Sequence, residues 1–153
     1  MSDFRNKPRV AVIGGSRATE RHLDLAFEVG RRLAEKGAVL VCGGLTGVME
    51  AAARGARQAG GLTIGILPGA DPSEANAFID IPLATGLGFT RNSLVAMNAD
   101  ALIAVDGEYG TLSEIAYAVV YGKKVVGLDT WNIRGVRTAG SPEEAVNLAL
   151  EGR

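Results

Sequence analysis

The stretch RVAVIGGS, residues 9–16, is a short apolar run that ends in two glycines and a serine. β-Branched residues favour a strand, and glycines directly after a strand allow a tight turn into the next element. Residues 19–36 follow with apolar side chains at helical spacing and end before Gly37, a residue type common just past helix ends. The stretch therefore predicts the strand, turn and helix that begin a parallel βαβ unit.

The same alternation continues along the chain. Strands are predicted at residues 9–13, 38–42, 62–67, 101–105 and 124–128, with a weaker sixth at 78–82. Helices are predicted at residues 19–36, 47–59, 89–99 and 111–121, and from about 141 to 150, where SPEE forms a capping box. The pattern predicts one domain over residues 1–153, an α/β fold with a Rossmann-like, doubly wound, mostly parallel sheet of five to seven strands and helices on both faces.

Composition narrows the classes of function. The net charge is −1 and the arginines are dispersed, so no nucleic-acid partner is expected. No apolar run approaches the roughly 20 residues of a membrane helix, and residues 1–8 lack the apolar core of a signal peptide, so we expect a cytoplasmic protein without a membrane partner. One cysteine, Cys42, and one histidine, His22, predict neither an internal disulfide nor a metal site.

Three glycine-rich turns follow predicted strands, at the edge where such sheets bind ligands. In the first turn, Gly14 and Gly15 would let a ligand approach the backbone, and Ser16 would donate to a phosphate or a ribose hydroxyl. A tight turn in which Ser16 bonds to nearby backbone is an equally good interpretation.

The second turn is CGGLTGVM, residues 42–49. Gly43, Gly44, Thr46 and Gly47 precede a predicted helix, whose free N–H groups and positive dipole end favour an anion. The alternative is that Thr46 only caps the helix and the glycines only turn the chain. The neighbouring cysteine is predicted to be a buried small residue rather than a nucleophile.

The third turn is DGEYGTLSE, residues 106–114. Gly107, Gly110 and Thr111 again place donors at a helix start. The spacing Thr111-x-x-Glu114 fits a capping box, which by itself favours a structural role for Glu114. Arg91, in the segment GFTRN, lies at another helix start, where a cation is unfavourable unless an anion is near. A surface arginine is the alternative, but the neighbouring glycine-rich loop favours a role in the site.

These turns together resemble the LOG ("Lonely Guy") or SLOG superfamily, often labelled lysine decarboxylase-like. Its hallmark is PGGxGTxxE with an arginine on the preceding helix. The sequence matches at Gly107, Gly110, Thr111 and Glu114, and Arg91 precedes Glu114 by 23 positions (91 to 114). The first two turns resemble the family's other phosphate loops, and the similarity runs over residues 9–128.

The resemblance implies a Rossmann-like fold, a homodimer or higher homo-oligomer, and a phosphoribohydrolase. Such an enzyme cleaves the N-glycosidic bond of a nucleoside 5′-monophosphate and releases base and ribose 5-phosphate. Carried across, Gly110, Thr111 and residues 43–47 would hold the phosphate, while Arg91 and Glu114 would be catalytic and bracket the ribose. No cofactor is expected to be required; the bound ligand would be an AMP-like nucleotide or molybdopterin.

Three positions depart from the family pattern. Asp106 replaces the proline, Glu108 replaces the second glycine, and Asn92 follows the arginine where the enzymes usually have lysine. In length and in its GFTRN segment the chain resembles a short branch related to molybdenum-cofactor carrier proteins, which bind rather than cleave. The alternative function is therefore a non-catalytic carrier or sensor for molybdenum cofactor or a nucleotide.

Overall fold

The apolar runs form one parallel sheet in the computed structural model, which describes residues 3–152; the ends of the predicted domain, residues 1, 2 and 153, lie outside it. The strands are β1 (Arg9–Gly14), β2 (Val39–Cys42), β3 (Thr63–Leu67), β4 (Ile81–Ala84), β5 (Ala101–Val105), β6 (Lys124–Leu128) and β7 (Val136–Thr138). Their order is β4-β3-β2-β1-β5-β6-β7, and every neighbouring pair is parallel. The predicted Rossmann-like sheet is confirmed, with seven strands.

Within residues 3–152, five α-helices cover the two faces of the sheet. They are α1 (Glu20–Glu35), α2 (Val48–Gln58), α3 (Asn92–Met97), α4 (Tyr109–Val120) and α5 (Pro142–Leu150). The helices α1, α2 and α5 pack on one face, and α3 and α4 pack on the other. The predicted cap of the last helix is confirmed, since Ser141 Oγ accepts a hydrogen bond of 3.1 Å from the Glu144 backbone N–H. None of the helices in residues 3–152 has both the length and the apolar character that a bilayer span requires.

The strand β1 shows how the sequence builds both cores. Val10 and Val12 belong to the cluster under α1 and α2, while Ala11 and Ile13 belong to the cluster under α3 and α4. All four are almost completely buried. Side chains alternate between the faces of a strand, so a strand covered on both faces must be apolar at every position. This is why the run is continuous rather than alternating.

The region before α3 differs from the prediction. The helix expected at residues 89–99 is instead a 3₁₀ turn, Gly88–Arg91, followed by the short α3. Gly88 has a φ of 60°, in the left-handed region that favours glycine. The arginine therefore lies in this turn rather than inside a regular helix.

The weak strand expected at residues 78–82 is also displaced, to β4. Thr63 explains the shift, because its backbone N–H donates to Asp80 Oδ2 at 3.0 Å and its Oγ1 donates to Phe78 O at 2.6 Å. Residues 78–80 are thus held as a loop, and the strand starts after them. The strand β7 was not predicted, since it is only three residues long and two of these are exposed.

Gly30 lies where α1 packs closely against the backbone of α2. A Cβ at Gly30 would lie 1.9 Å from Ala52 O, a backbone atom that cannot rotate away. Alanine normally stabilises a helix interior by about 1 kcal/mol over glycine, but overpacking costs about 1–3 kcal/mol. We expect Gly30→Ala to lower the free energy of unfolding, measured by urea denaturation. Gly110→Ala is the control, since its Cβ would meet only Asn92 Nδ2 at 3.8 Å; equal losses in both variants would contradict this explanation.

Candidate functional site

A cavity of about 540 Å³ opens at the carboxyl ends of β1 and β5. The strand order changes direction at this pair, because the chain runs outward from β1 to β4 and then returns to place β5 beside β1. Open α/β sheets bind ligands at such a switch point. The volume lies within the range of about 300–1,000 Å³ typical of small-molecule sites.

The structure brings together most of the site residues predicted from the sequence. Gly14, Gly15, Ser16, Arg91, Gly110, Thr111 and Glu114 all lie on the cavity wall. They come from three separate segments of the chain, the turn after β1, the 3₁₀ turn before α3 and the start of α4. The sheet topology alone places these segments at one edge.

The second glycine-rich turn supports the first turn rather than presenting its threonine to the cavity. Thr46 Oγ1 donates to Ser16 O at 3.0 Å, and the Val48 N–H donates to Gly15 O at 3.1 Å. Gly47, not Thr46, is the N-cap of α2, so the capping alternative for the threonine is wrong. A Cβ at Gly47 would lie 2.2 Å from Gly15 O, which explains the glycine by close packing of the two turns.

The other glycines of this turn make room for a guanidinium. A Cβ at Gly43 would lie 2.6 Å from Arg91 Nη1 and 2.7 Å from Met49 Sδ, so only glycine lets the arginine lie against the backbone. Gly44 has a φ of 79° and its N–H donates to Cys42 Sγ at 3.4 Å. Cys42 is fully buried, which raises the pKa of its thiol to about 12 and confirms that it is a core residue.

The helix after the third turn begins three residues earlier than a capping box at Thr111 implies, because its N-cap is Glu108 and not Thr111. Glu108 is the N-cap of α4 and its side chain makes no capping bond, so the Thr111–Glu114 capping box is wrong. Glu114 faces the cavity instead, although it is only 6% exposed. Gly107 has a φ of 107° and lies against Thr111. The first N–H groups of α4 and the positive end of its dipole therefore lie at the cavity edge.

The two acidic departures from the family pattern behave differently. Asp106 has a φ of 52°, its Oδ2 lies 3.7 Å from His22 Nδ1, and its carbonyl accepts a 2.6 Å hydrogen bond from Thr130 Oγ1. His22 Nε2 also lies 2.7 Å from Asp129 Oδ2, and this contact holds the pKa of the Asp129 carboxyl below its usual value. Glu108 lies on the cavity wall, so it is the departure that a ligand would meet.

Arg91 and Glu114 give the cavity its charge. Arg91 is 8% exposed; its Nη1 donates to Asn92 Oδ1 at 2.7 Å, and its buried Nε has no partner among residues 3–152. Burial raises the pKa of Glu114 to about 8, against the opposing effect of the arginine. Burial also lowers the pKa of Arg91, which the carboxyl opposes. At neutral pH the carboxyl is largely protonated, so a buried guanidinium charge is left for an anion to neutralise.

A family model described as the SLOG cluster4 family matches residues 7–150. The chain belongs to this SLOG family. It is 46% identical over 143 residues to an uncharacterized protein of Archaeoglobus fulgidus, covering 93% of this chain and 94% of the relative. It is 33% identical over 118 residues to the cytokinin riboside 5′-monophosphate phosphoribohydrolase of Mycobacterium tuberculosis, covering 71% of this chain but only 63% of that enzyme.

Solved structures give the same family and match this SLOG protein over nearly its whole length. The molybdenum cofactor binding protein of Rippkaea orientalis is 37% identical with a TM-score of 0.89, covering 94% of this chain and 95% of that one. The molybdenum cofactor carrier protein of Chlamydomonas reinhardtii is 36% identical with a TM-score of 0.85, covering 94% and 96%. The predicted resemblance to the LOG/SLOG superfamily is confirmed.

Several wall residues of the SLOG protein were not predicted from the sequence. They are Arg17, Leu45, Met49, Phe89, Asn92, Glu108 and Tyr109. Asn92 is buried and its Nδ2 donates to Ser113 Oγ at 3.1 Å, so it ties the arginine to α4. The sequence does mark this residue, because an asparagine stands beside Arg91 where the family's enzymes usually have lysine. Phe89 and Tyr109 could have been noticed for another reason: they are large aromatic residues within glycine-rich turns.

The raised pKa of Glu114 predicts how the stability of the SLOG protein depends on pH. Its carboxyl has an ordinary pKa of 4.5 when unfolded and about 8 when folded. Between these values only the folded state keeps the proton, so the free energy of unfolding must fall as pH rises and the contribution is lost through pH 8. We expect Glu114→Gln, which cannot ionise, to lose less stability than wild type between pH 5 and 9 in urea denaturation. Parallel losses in both proteins would contradict the shift.

Proposed function

We propose that this SLOG protein binds a phosphate-bearing, nucleotide-like ligand in the cavity at the ends of β1 and β5. One observation carries the proposal: the buried Arg91 guanidinium, whose Nε has no partner in the described part of the chain, lies on the same wall as the start of α4, which has no side-chain cap there. The backbone N–H groups of Gly110 and Thr111 would donate to the phosphate. The turn Gly14-Gly15-Ser16 would close the other side, because glycines let the backbone approach an anion.

The named relatives support a ligand of this class. The enzyme of M. tuberculosis takes its name from a riboside 5′-monophosphate, and the two matching structures take theirs from the molybdenum cofactor. For this chain we propose an AMP-like nucleotide or a molybdopterin as the bound compound.

We further propose that the site can hydrolyse the N-glycosidic bond of a nucleoside 5′-monophosphate. The C1′–N bond breaks with both electrons going to the base nitrogen, and a water oxygen bonds to C1′. Glu114 accepts a proton from the water and afterwards gives it up, while the base nitrogen gains one proton, so the net reaction consumes one water and regenerates the carboxylate. A carboxyl with a pKa near 8 is suited to this task, because it exists in both forms near neutral pH. Arg91 orients the ribose and neutralises the phosphate charge.

The second candidate is a carrier that binds without cleavage. Three observations favour it: the asparagine at position 92, the Glu108 carboxylate on the wall, and the match in length to the molybdenum cofactor proteins but not to the hydrolase. Both candidates share the ligand site. They differ only in whether the ligand is turned over.

Thermal unfolding with added ligand tests the shared proposal, and a base-release assay separates the two candidates. A ligand at 100 times its Kd stabilises the folded state by about 2.7 kcal/mol, so AMP, other nucleotides or molybdopterin should raise Tm measurably. Release of free base from any nucleotide supports the hydrolase, while a Tm shift without release supports the carrier. No shift with either ligand class would overturn the proposal.

We also propose that a second copy of the chain covers the outer surface of α3 and α4. Met97, Val120 and Tyr121 are exposed there, at 51%, 78% and 36%. Apolar residues grouped in this way on a soluble surface are typical of an interface. We expect a homodimer or higher homo-oligomer in sedimentation equilibrium, and expect Val120→Glu to shift it to smaller species. A wild-type monomer at all concentrations would contradict the assignment.

A further inference from the structure

We propose that Tyr109 and Phe89 form a stacking subsite for a planar heterocycle, so that the cavity takes a phosphate ester carrying an aromatic ring in preference to a simple sugar phosphate. This inference rests on the proposed function and adds the residues that would hold the ring of the ligand. Neither residue belongs to the catalytic pair, and both lie on the cavity wall.

Exposure is the first observation. Phe89 is 87% exposed and Tyr109 is 78% exposed, although both side chains are large and apolar. A single exposed aromatic residue needs no explanation. Here two of them, from the 3₁₀ turn before α3 and from the first position of α4, line the same cavity as the buried arginine. Small-molecule sites characteristically combine aromatic walls with a few polar groups.

The ring of Tyr109 is also held in place. It packs against Trp131 with the ring centroids 5.7 Å apart and the planes at 41°. Trp131 is itself anchored, because its Nε1 donates to Glu108 O at 3.0 Å. The tyrosine is thus supported from one side and open on the other. A ring that is already positioned loses little conformational entropy when a ligand stacks on it.

The ring lies close enough to the proposed anion site for a single ligand to contact both. Tyr109 directly precedes Gly110 and Thr111, whose N–H groups are proposed to hold the phosphate. A ligand with a phosphate at one end and a ring at the other, as in a nucleoside monophosphate or a phosphorylated pterin, would fill both parts. A sugar phosphate would leave the aromatic residues uncovered.

Calorimetric titration with two probes, AMP and ribose 5-phosphate, tests the subsite. The wild type should bind AMP more tightly than ribose 5-phosphate. Tyr109→Ala should weaken AMP binding roughly 5- to 150-fold, the range found for aromatic stacking on a base, and leave ribose 5-phosphate binding unchanged. Tyr109→Phe should keep the AMP affinity, because the ring face and not the hydroxyl stacks. Phe89→Ala should act like Tyr109→Ala, and Phe4→Ala, an exposed aromatic residue outside the cavity, should have no effect.

Three outcomes would overturn the subsite. Equal wild-type affinity for both probes would show that the ring contributes nothing. Equal weakening of both probes by Tyr109→Ala would show that the tyrosine supports the phosphate turn instead. A change in the oligomer caused by Phe89→Ala, with the AMP affinity kept, would assign that residue to contact with a second copy. In all three outcomes the wild type still binds a phosphate ester, so the proposed function survives. If the wild type binds neither AMP nor ribose 5-phosphate, both the subsite and the proposed function are wrong.

Discussion

Arg91→Met is expected to weaken AMP binding at least 10-fold while leaving the free protein as stable as the wild type. The guanidinium is buried, and its Nε has no hydrogen-bond partner within residues 3–152. The Glu114 carboxyl is largely neutral at pH 7, so the guanidinium charge is not compensated before the ligand arrives. A hydrogen bond to a charged group contributes about 1.5–3 kcal/mol, which corresponds to roughly 10- to 150-fold in affinity.

The stability of the free protein, unlike its affinity for AMP, is not expected to fall in Arg91→Met. Burial lowers the pKa of Arg91, which shows that the folded protein holds this charge at a cost. An apolar side chain of similar length removes that cost, so the free energy of unfolding should stay equal or rise. Arg54→Met is the matched control, an exposed arginine on α2 whose guanidinium lies 4.8 Å from the centre of the Phe27 ring. AMP binding unchanged in Arg91→Met would contradict the role given to the arginine.

Glu114→Gln is expected to abolish release of base from AMP, with a loss of about 10²- to 10⁴-fold, while AMP binding is retained. The amide keeps the size of the carboxyl but cannot accept a proton, and general acid–base catalysis contributes a factor of that order. Because the ionised form must accept the proton, the wild-type rate should rise with pH and level off above about pH 8. Release of base is measured across pH 5.5 to 9.5 with saturating AMP.

Glu108→Gln provides the comparison, because it changes another carboxyl on the same wall. Its carboxylate would repel a phosphate, so the variant should bind AMP more tightly and should keep its rate of base release. Undiminished release in Glu114→Gln, or a rate that falls between pH 6 and 8, would contradict the catalytic assignment. If the wild type releases no base but binds AMP, the carrier candidate replaces the hydrolase.

The strands buried on both faces were the easiest elements to predict. The strands β5 and β6 were predicted with the bounds that the structure shows, because burial on both sides requires a continuous apolar run and glycine-rich or charged turns end it. Short elements were harder. The strand β7 pairs only with the edge strand β6, and its three residues carry no pattern that the sequence alone reveals.

The sequence predicted which turns form the candidate site, but not which of their side chains face the cavity. The topology brings Gly15, Arg91 and Glu114 together, which the strand-end positions predicted. Whether Glu114 capped α4 or faced the cavity depended on where the helix begins, and the N-cap lies three residues before Thr111, at Glu108. Thr46 shows the same limit, since its partner, the Ser16 carbonyl, lies 30 residues away. Tertiary contacts, not local propensity, assign these side chains.

A crystal structure of the protein grown with AMP tests the central claim most directly. We expect the phosphate within hydrogen-bond distance of the Gly110 and Thr111 backbone N–H groups, with Arg91 and Glu114 on either side of the ribose. A phosphate bound outside this cavity, or a cavity left empty at saturating AMP, would contradict it.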